Sequence, residues 1–305
     1  MIFAGLPRRV RRNGPAAEAQ VVRQHREVSA MITREELMEQ LGSPYTNKVV
    51  PRLHKFAFIP DKLLDKIARE ALSEHWGKNH YVLEKYLAIH VPWSIEQGRF
   101  TQRDSQFYVT AGHLQTRYGT PLFLVFQRIT EPAKSPWRLT VAGSQISAPE
   151  LPIPPDLPPS PAVERGAEIV MSHDHILGDH ASRVPFLKET PPVAQMCAVS
   201  GAIQWSLNRG LQLGHWYFGQ MNYIVPLYLQ SRENITRAPD LIAPIQVSPG
   251  NLVVRTILEP HMPYPNARVA VHRHDQLPPW LLEAWAGYAD RVEPDEEEAA
   301  EDEEV

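Results

Sequence analysis

Apolar residues fall at helical spacing in some stretches of the chain and at strand spacing in others. Between Asp61 and Ser73, Leu64, Ile67, Ala68, Ala71 and Leu72 share one face of a helix that Asp61 is placed to cap. Thr33-Arg-Glu-Glu36 has the form of a capping box and predicts a helix start just after Met31. Further helices are predicted over Tyr81–Ile89, with Val82, Leu83, Tyr86 and Leu87 inward, and over Val193–Leu213, with Met196, Val199, Ile203, Leu207 and Leu211 in register. A short one is predicted over Trp280–Tyr288, packing Leu281, Leu282 and Trp285 onto the body.

Strands are predicted at Gln106–Thr110 and Pro121–Phe126, with a bend at Arg117–Thr120 between them. Others are predicted at Tyr223–Leu229, Leu241–Val247, Leu252–Leu258 and Ala267–Val271, with Ser248-Pro-Gly-Asn251 as a hairpin turn. Helices and strands come in blocks rather than in strict alternation. The expected fold is therefore α+β, a mixed and largely antiparallel sheet flanked by helices.

Composition refines the boundaries. Hydrophobic residues make up 43% of 305, enough to bury a real core in one main domain, 31–292. Residues 1–30 carry six arginines, two glutamates and no apolar period, which reads as a disordered basic extension, and translation from Met31 instead of Met1 is left open. From Glu293 the chain has nine acids and no base, which reads as a disordered acidic tail. The body between is left at a net charge of +1, a poor footprint for duplex DNA but compatible with a small ligand, a peptide or a short single strand. Seven prolines in 148–161 favour an extended conformation, as a linker or as an insertion within one fold. No apolar run reaches the ~18–20 residues of a membrane span, and no apolar signal segment follows the basic start. With Cys197 as the single cysteine, a reducing, cytoplasmic setting is expected.

Two segments could carry chemistry. Ser172–Arg183 holds His173, His175, Asp179 and His180, a set able to bind a divalent metal or, equally, to form a polar loop. Thr256–Arg268 offers Thr256, Tyr264, Asn266 and Arg268, of which the guanidinium could grip a phosphate or carboxylate. Gly214-His-Trp-Tyr-Phe-Gly219 suits ring stacking or, more simply, packing at a helix end. Phosphate-loop, nucleophile-elbow and H-E-x-x-H motifs are absent.

The stretch from about His54 to Trp280 resembles a bacterial family of unknown function, DUF3825-like, as a divergent member. Its C-terminal signature corresponds to Thr256, Leu258, Met262, Tyr264, Asn266, Ala267 and Arg268, followed by Trp280-Leu281. A middle motif corresponds to His175-Ile-Leu177 and Arg183-Val-Pro185, with His180 where the family has asparagine. An earlier motif is kept in part as Thr110-Ala-Gly112, and another as Ile224-Val-Pro226 with Tyr228. The resemblance implies an association with RNA metabolism and a pocket shared by the motifs. The leading expectation is an RNA- or nucleotide-linked binding or processing protein. Arg183 and Arg268 would hold an anion, His175 would be the acid/base, and Tyr264, Asn266, Thr256 and Thr110 would position the ligand. The alternatives are a metal-dependent enzyme centred on His173, His175 and His180, with a divalent ion as cofactor, and a non-catalytic interaction protein.

Overall fold

A computed structural model describes residues 31–130, 133–164, 166–179 and 181–289. The basic extension, the acidic tail and His180 lie outside the described residues. Among the described residues ten strands divide between two five-stranded sheets. The first, in the order β1-β5-β4-β3-β2, uses β1 (Ala57–Phe58), β2 (Thr101–Arg103), β3 (Gln106–Gln115), β4 (Pro121–Arg128) and β5 (Trp137–Gly143). The second, in the order β6-β10-β9-β8-β7, uses β6 (Glu168–Met171), β7 (Leu213–Tyr217), β8 (Gln220–Leu227), β9 (Leu241–Ser248) and β10 (Asn251–Val254). Each sheet is antiparallel except at one edge, where β1 runs parallel to β5 and β6 runs parallel to β10. The architecture is thus α+β and largely antiparallel, as the block pattern predicts, with the strands shared between two sheets.

Helix α1 (Arg34–Leu41) begins at Thr33, whose Oγ1 accepts from the Glu36 amide at 3.2 Å. Helix α2 (Val49–Phe56) and helix α3 (Asp61–Glu70) follow, the latter with Asp61 in its first turn after Pro60. The central element is α4 (Tyr81–Glu96), buried along almost its whole length from Tyr81 to Ile95. Apolar residues on every side leave such a helix nowhere but the interior. It lies against β3 and reaches the second sheet through Trp93, whose ring meets that of Trp216 on β7 edge-on at 4.8 Å. Around α4 a single core joins Phe56, Phe107, Phe126 and Trp137 of the first half to Ile224, Tyr264 and Trp285 of the second. A smaller core packs α5 (Pro192–Leu207) on the second sheet through Val199, Ile203, Val225 and Ile245.

Residues 149–164 have neither helix nor strand and run as a strap between the sheets. Asp156 exchanges two hydrogen bonds with Gln97 at the end of α4, and Leu157 packs on the main core. The Pro249-Gly250 turn closes the β9–β10 hairpin in the expected place, with Gly250 at φ 72°.

Two readings need correction. Ala267–Val271 is not a strand; Tyr264–Arg268 form a short helix, α6, because Pro263 and Pro265 hold φ at helical values at its start. The 214–219 segment is no helix end but β7 and its turn, since α5 stops at Leu207 before Gly210 at φ 65°. Cys197 is exposed, on the outer side of α5. The last helix, α7 (Pro279–Tyr288), buries Trp280, Leu281 and Trp285. Among the described residues no helix is long and apolar enough to cross a membrane.

Candidate functional site

The densest polar cluster is built around a residue that the periodicity gives no reason to notice. After α3 the helical pattern fails at Ser73-Glu-His-Trp-Gly77, and the Glu74 side chain turns inward beneath α6. Arg268, at the end of α6, donates from Nε to Glu74 Oε1 at 2.6 Å, and both side chains are only 2% exposed. Tyr264 donates its hydroxyl to the same oxygen at 2.9 Å. The other Glu74 oxygen lies 3.6 Å from His274 Nδ1. Arg268 also donates to the Val271 carbonyl, and its guanidinium stands 4.7 Å over the Tyr86 ring from α4.

A buried carboxylate and guanidinium left unpaired would each cost several kcal/mol, and mutual bonding offsets this. Burial works against the charge on Arg268, but Glu74 and the Tyr86 and Tyr264 oxygens outweigh it and keep the group protonated. Burial, then Glu74, hold the Tyr264 hydroxyl un-ionised.

Two cavities flank this pair. A cleft of about 560 Å3 opens on one side, lined by Glu74, Trp76, His75, His80, Tyr264, His274 and Trp285 with smaller neighbours. Its aromatic walls are fixed: Tyr264 stacks parallel on Trp285 at 4.9 Å, and Trp285 Nε1 donates to the His75 carbonyl. On the other side a hollow of about 10 Å3 is lined by Glu74, His113, Arg268, His272, Arg273 and His274. Glu74 and His274 belong to both.

Behind the hollow three imidazoles converge from separate elements. His113 on β3 meets His272 edge-on at 4.3 Å and His90 of α4 at 5.6 Å. His90 stacks on Tyr86 and donates from Nε2 to the Val269 carbonyl at 3.2 Å. His90 Nδ1 and His113 Nε2 are buried without a hydrogen-bond partner among the described residues. Burial, then the neighbouring charges of His272 and Arg268, push His113 down to about 4. Burial also lowers His90 well below the ordinary range. Gly112 makes this crowding feasible: at φ 55° it sits where any Cβ would come within 2.7 Å of the His90 ring and the Tyr86 hydroxyl.

The residues singled out in the sequence are distributed unevenly around this centre. Tyr264 and Arg268 are its heart. Asn266 is buried on α6, Thr256 is buried with its hydroxyl 3.4 Å from the Ile257 carbonyl, and Thr110 is buried on β3 with an unsatisfied Oγ1. Arg183 stands apart. It is half-buried, donates to the Ile257 carbonyl, and lines neither cavity beside Glu74. The middle motif therefore meets the C-terminal motif at Ile257, not at Arg268. His173 accepts or donates at both ring nitrogens, to Gln195 at 2.8 Å and Asp174 at 3.1 Å. The side chain of His175, like the whole of His180, lies outside the described residues. Among the described residues no group of three or more histidine, cysteine or acidic side chains is arranged to hold a metal.

Sequence reasoning missed Glu74, Tyr86, His113, His272 and His274. The one available signal was Gly112 inside an otherwise apolar strand, which marks a close approach of another group.

This is an α+β protein with a buried, braced carboxylate between an aromatic cleft and a histidine hollow. A model of the family described as a domain of unknown function, DUF3825, matches residues 67–276, and the chain belongs to that family. Glu74, Tyr86, His113, Tyr264, Arg268 and His272 all lie within the matched span, whereas Trp285 and the first two helices lie outside it. No curated protein and no solved structure matches the chain.

Proposed function

We propose that the protein binds a nucleotide or the end of an RNA strand, with the cleft beside Glu74 as the seat of one base, and that it acts in RNA metabolism. One observation carries the reading: the Glu74 side chain, held in place by Arg268 and Tyr264, floors an aromatic-walled cavity of about 560 Å3. A space of that size suits a nucleoside-sized ligand. Indole and phenol walls favour a flat heterocycle, and a fixed carboxylate accepts hydrogen bonds from an exocyclic amine or from ribose hydroxyls. In this reading Arg268 works through Glu74, orienting it, rather than gripping phosphate itself. The near-neutral body favours a short single strand over a duplex.

Equilibrium titration of ribonucleoside monophosphates and a short RNA against wild type, Ser73→Trp and Glu74→Gln tests this. Ser73 is an exposed residue on the cleft wall, so an indole there fills the space without touching the ion pair. Wild type is expected to bind, and Ser73→Trp to lose at least about tenfold in affinity with its melting temperature kept, equivalent to about 1.4 kcal/mol. Glu74→Gln keeps the shape and loses the charge. Absence of binding by wild type up to millimolar ligand, or equal binding by all three proteins, removes the cleft from the account.

A further inference from the structure

Two imidazoles line the cleft, and each has a carboxylate behind it. His80 closes the turn before α4, and its Nε2 lies 2.8 Å from Oδ1 of Asp65 on α3. His274 follows α6, and its Nδ1 lies 3.6 Å from Glu74 Oε2. A carboxylate only accepts hydrogen bonds, so in the neutral His80 ring Nε2 carries the hydrogen and Nδ1 keeps its lone pair. In His274 the pairing runs through Nδ1 and leaves Nε2.

The backbone that presents His80 is strained. Asn79 and His80 stand one after the other in the left-handed region, at φ 53° and φ 62°, where a side chain crowds its own backbone. Gly77 anchors the turn before them: it has φ 72°, and a Cβ there would come within 3.1 Å of the Trp285 indole. A glycine at position 80 would hold the same conformation without the steric penalty. The bond to Asp65 does not explain a histidine there. The two side chains are 32% and 52% exposed, and an ion pair so open to water returns no more than the strain costs. Backbone strain of this kind gathers at sites that must hold one side chain in one place.

We infer that the cleft cleaves single-stranded RNA by transferring a phosphate onto the neighbouring ribose 2′-hydroxyl, with His80 as the base and His274 as the acid. The inference rests on the cleft reading above and extends it from binding to a reaction. A strand seated by one base brings its own nucleophile and its own leaving group to the cleft walls. His80 Nδ1 takes the proton of the 2′-hydroxyl, and O2′ bonds to the adjacent phosphorus. The bond from that phosphorus to O5′ of the next nucleotide breaks, and protonated Nε2 of His274 gives its proton to the departing oxygen. The products are a 2′,3′-cyclic phosphate and a free 5′-hydroxyl, and no co-reactant enters the balance. Imidazole suits both transfers, because it takes and gives protons near neutral pH. Asp65 acts through His80 as a positioning residue that fixes which ring nitrogen is the base.

The test incubates a labelled single-stranded RNA, and a copy of it built from 2′-deoxyribose, with the full-length protein in saturating excess. Wild type, His80→Gly, His274→Gln and Asp65→Asn are purified alike, and binding of a ribonucleoside monophosphate to wild type is titrated in parallel. Wild type is expected to leave 2′,3′-cyclic phosphate ends on the RNA at early times and to spare the deoxy copy. His80→Gly and His274→Gln are each expected to lose at least about a hundredfold in rate. The melting temperature of His80→Gly should stand at or above that of wild type, because glycine relieves the left-handed backbone. Asp65→Asn is expected to lower kcat and leave KM in place. An intact RNA with a wild type that binds the monophosphate, scission of the deoxy copy, ends other than the cyclic phosphate, or an undiminished rate in any of the three variants overturns the inference and leaves the cleft reading standing. Failure of wild type to bind the monophosphate overturns the two together.

Discussion

Arg183 and Arg268 sit in motifs of the same kind, yet they meet opposite surroundings. Arg268 is sealed in the main core with Glu74, under aromatic rings and beside three imidazoles. Arg183 is half-buried and holds one carbonyl, and His173, in the same polar segment, bonds to Gln195 and to exposed Asp174. The contrast separates two uses of polar residues. In the first region a charge without its partner is intolerable, so the guanidinium and the carboxylate are each answered by the other. In the second, water is always available as a substitute partner and each bond is worth little.

That difference is open to measurement. Glu74→Ala strands a guanidinium in the core and is expected to cost about 3–5 kcal/mol in denaturant unfolding. A loss under about 1 kcal/mol would mean that water reaches Arg268. Acid is the next largest stress. Buried histidines whose folded pKa is depressed leave the native state binding fewer protons than the unfolded chain. Stability is then full above about pH 6.5 and falls as pH drops toward about 4 for His113 and about 3 for His215, which burial, with Lys85, depresses further. The full fall for His215 is about 5 kcal/mol, and it should shrink in His215→Gln. A stability flat between pH 6.5 and pH 4, the range bounded by free histidine and His113, would contradict the burial described.

Gly112→Ala places a methyl against the His90 ring and forces a left-handed backbone onto alanine; a loss of about 2–3 kcal/mol is expected by thermal melting. In the second region Arg183→Ala should cost only about 1 kcal/mol, the worth of one partly exposed hydrogen bond. His173→Ala should stay within about 0.5 kcal/mol, the usual range for surface positions. If Arg183→Ala proved as damaging as Glu74→Ala, the two regions would not differ in the way argued.

The sequence is legible where the forces are local. The helix predicted over 61–73 forms over Asp61–Glu70, with Pro60 and not Asp61 at its N-cap, and the turn at Pro249-Gly250 stands where its turn chemistry predicts. Ala267–Val271 misled because a short apolar run does not distinguish one buried helical turn from a strand, and the prolines before it decide. The candidate site was half legible. Tyr264 and Arg268 stand out as polar residues in an apolar setting, but nothing near them in sequence names the acid they require. That acid is 194 positions away. Likewise His90, His113 and His272 are unremarkable one by one, and only the crossing of α4, β3 and the post-α6 segment makes them a group.

The separation of Glu74 from Arg268 has a consequence for biosynthesis. At ribosomal speeds of ~5–20 residues per second, Glu74 emerges on the order of 10–40 s before its partner. During that interval the acid keeps its water, because burying it unneutralised would cost several kcal/mol, and its burial waits for the segment that carries α6. A chain cut short before α6 would therefore lack more than a peripheral helix, and quality control would meet it as an unfinished protein rather than a trimmed one.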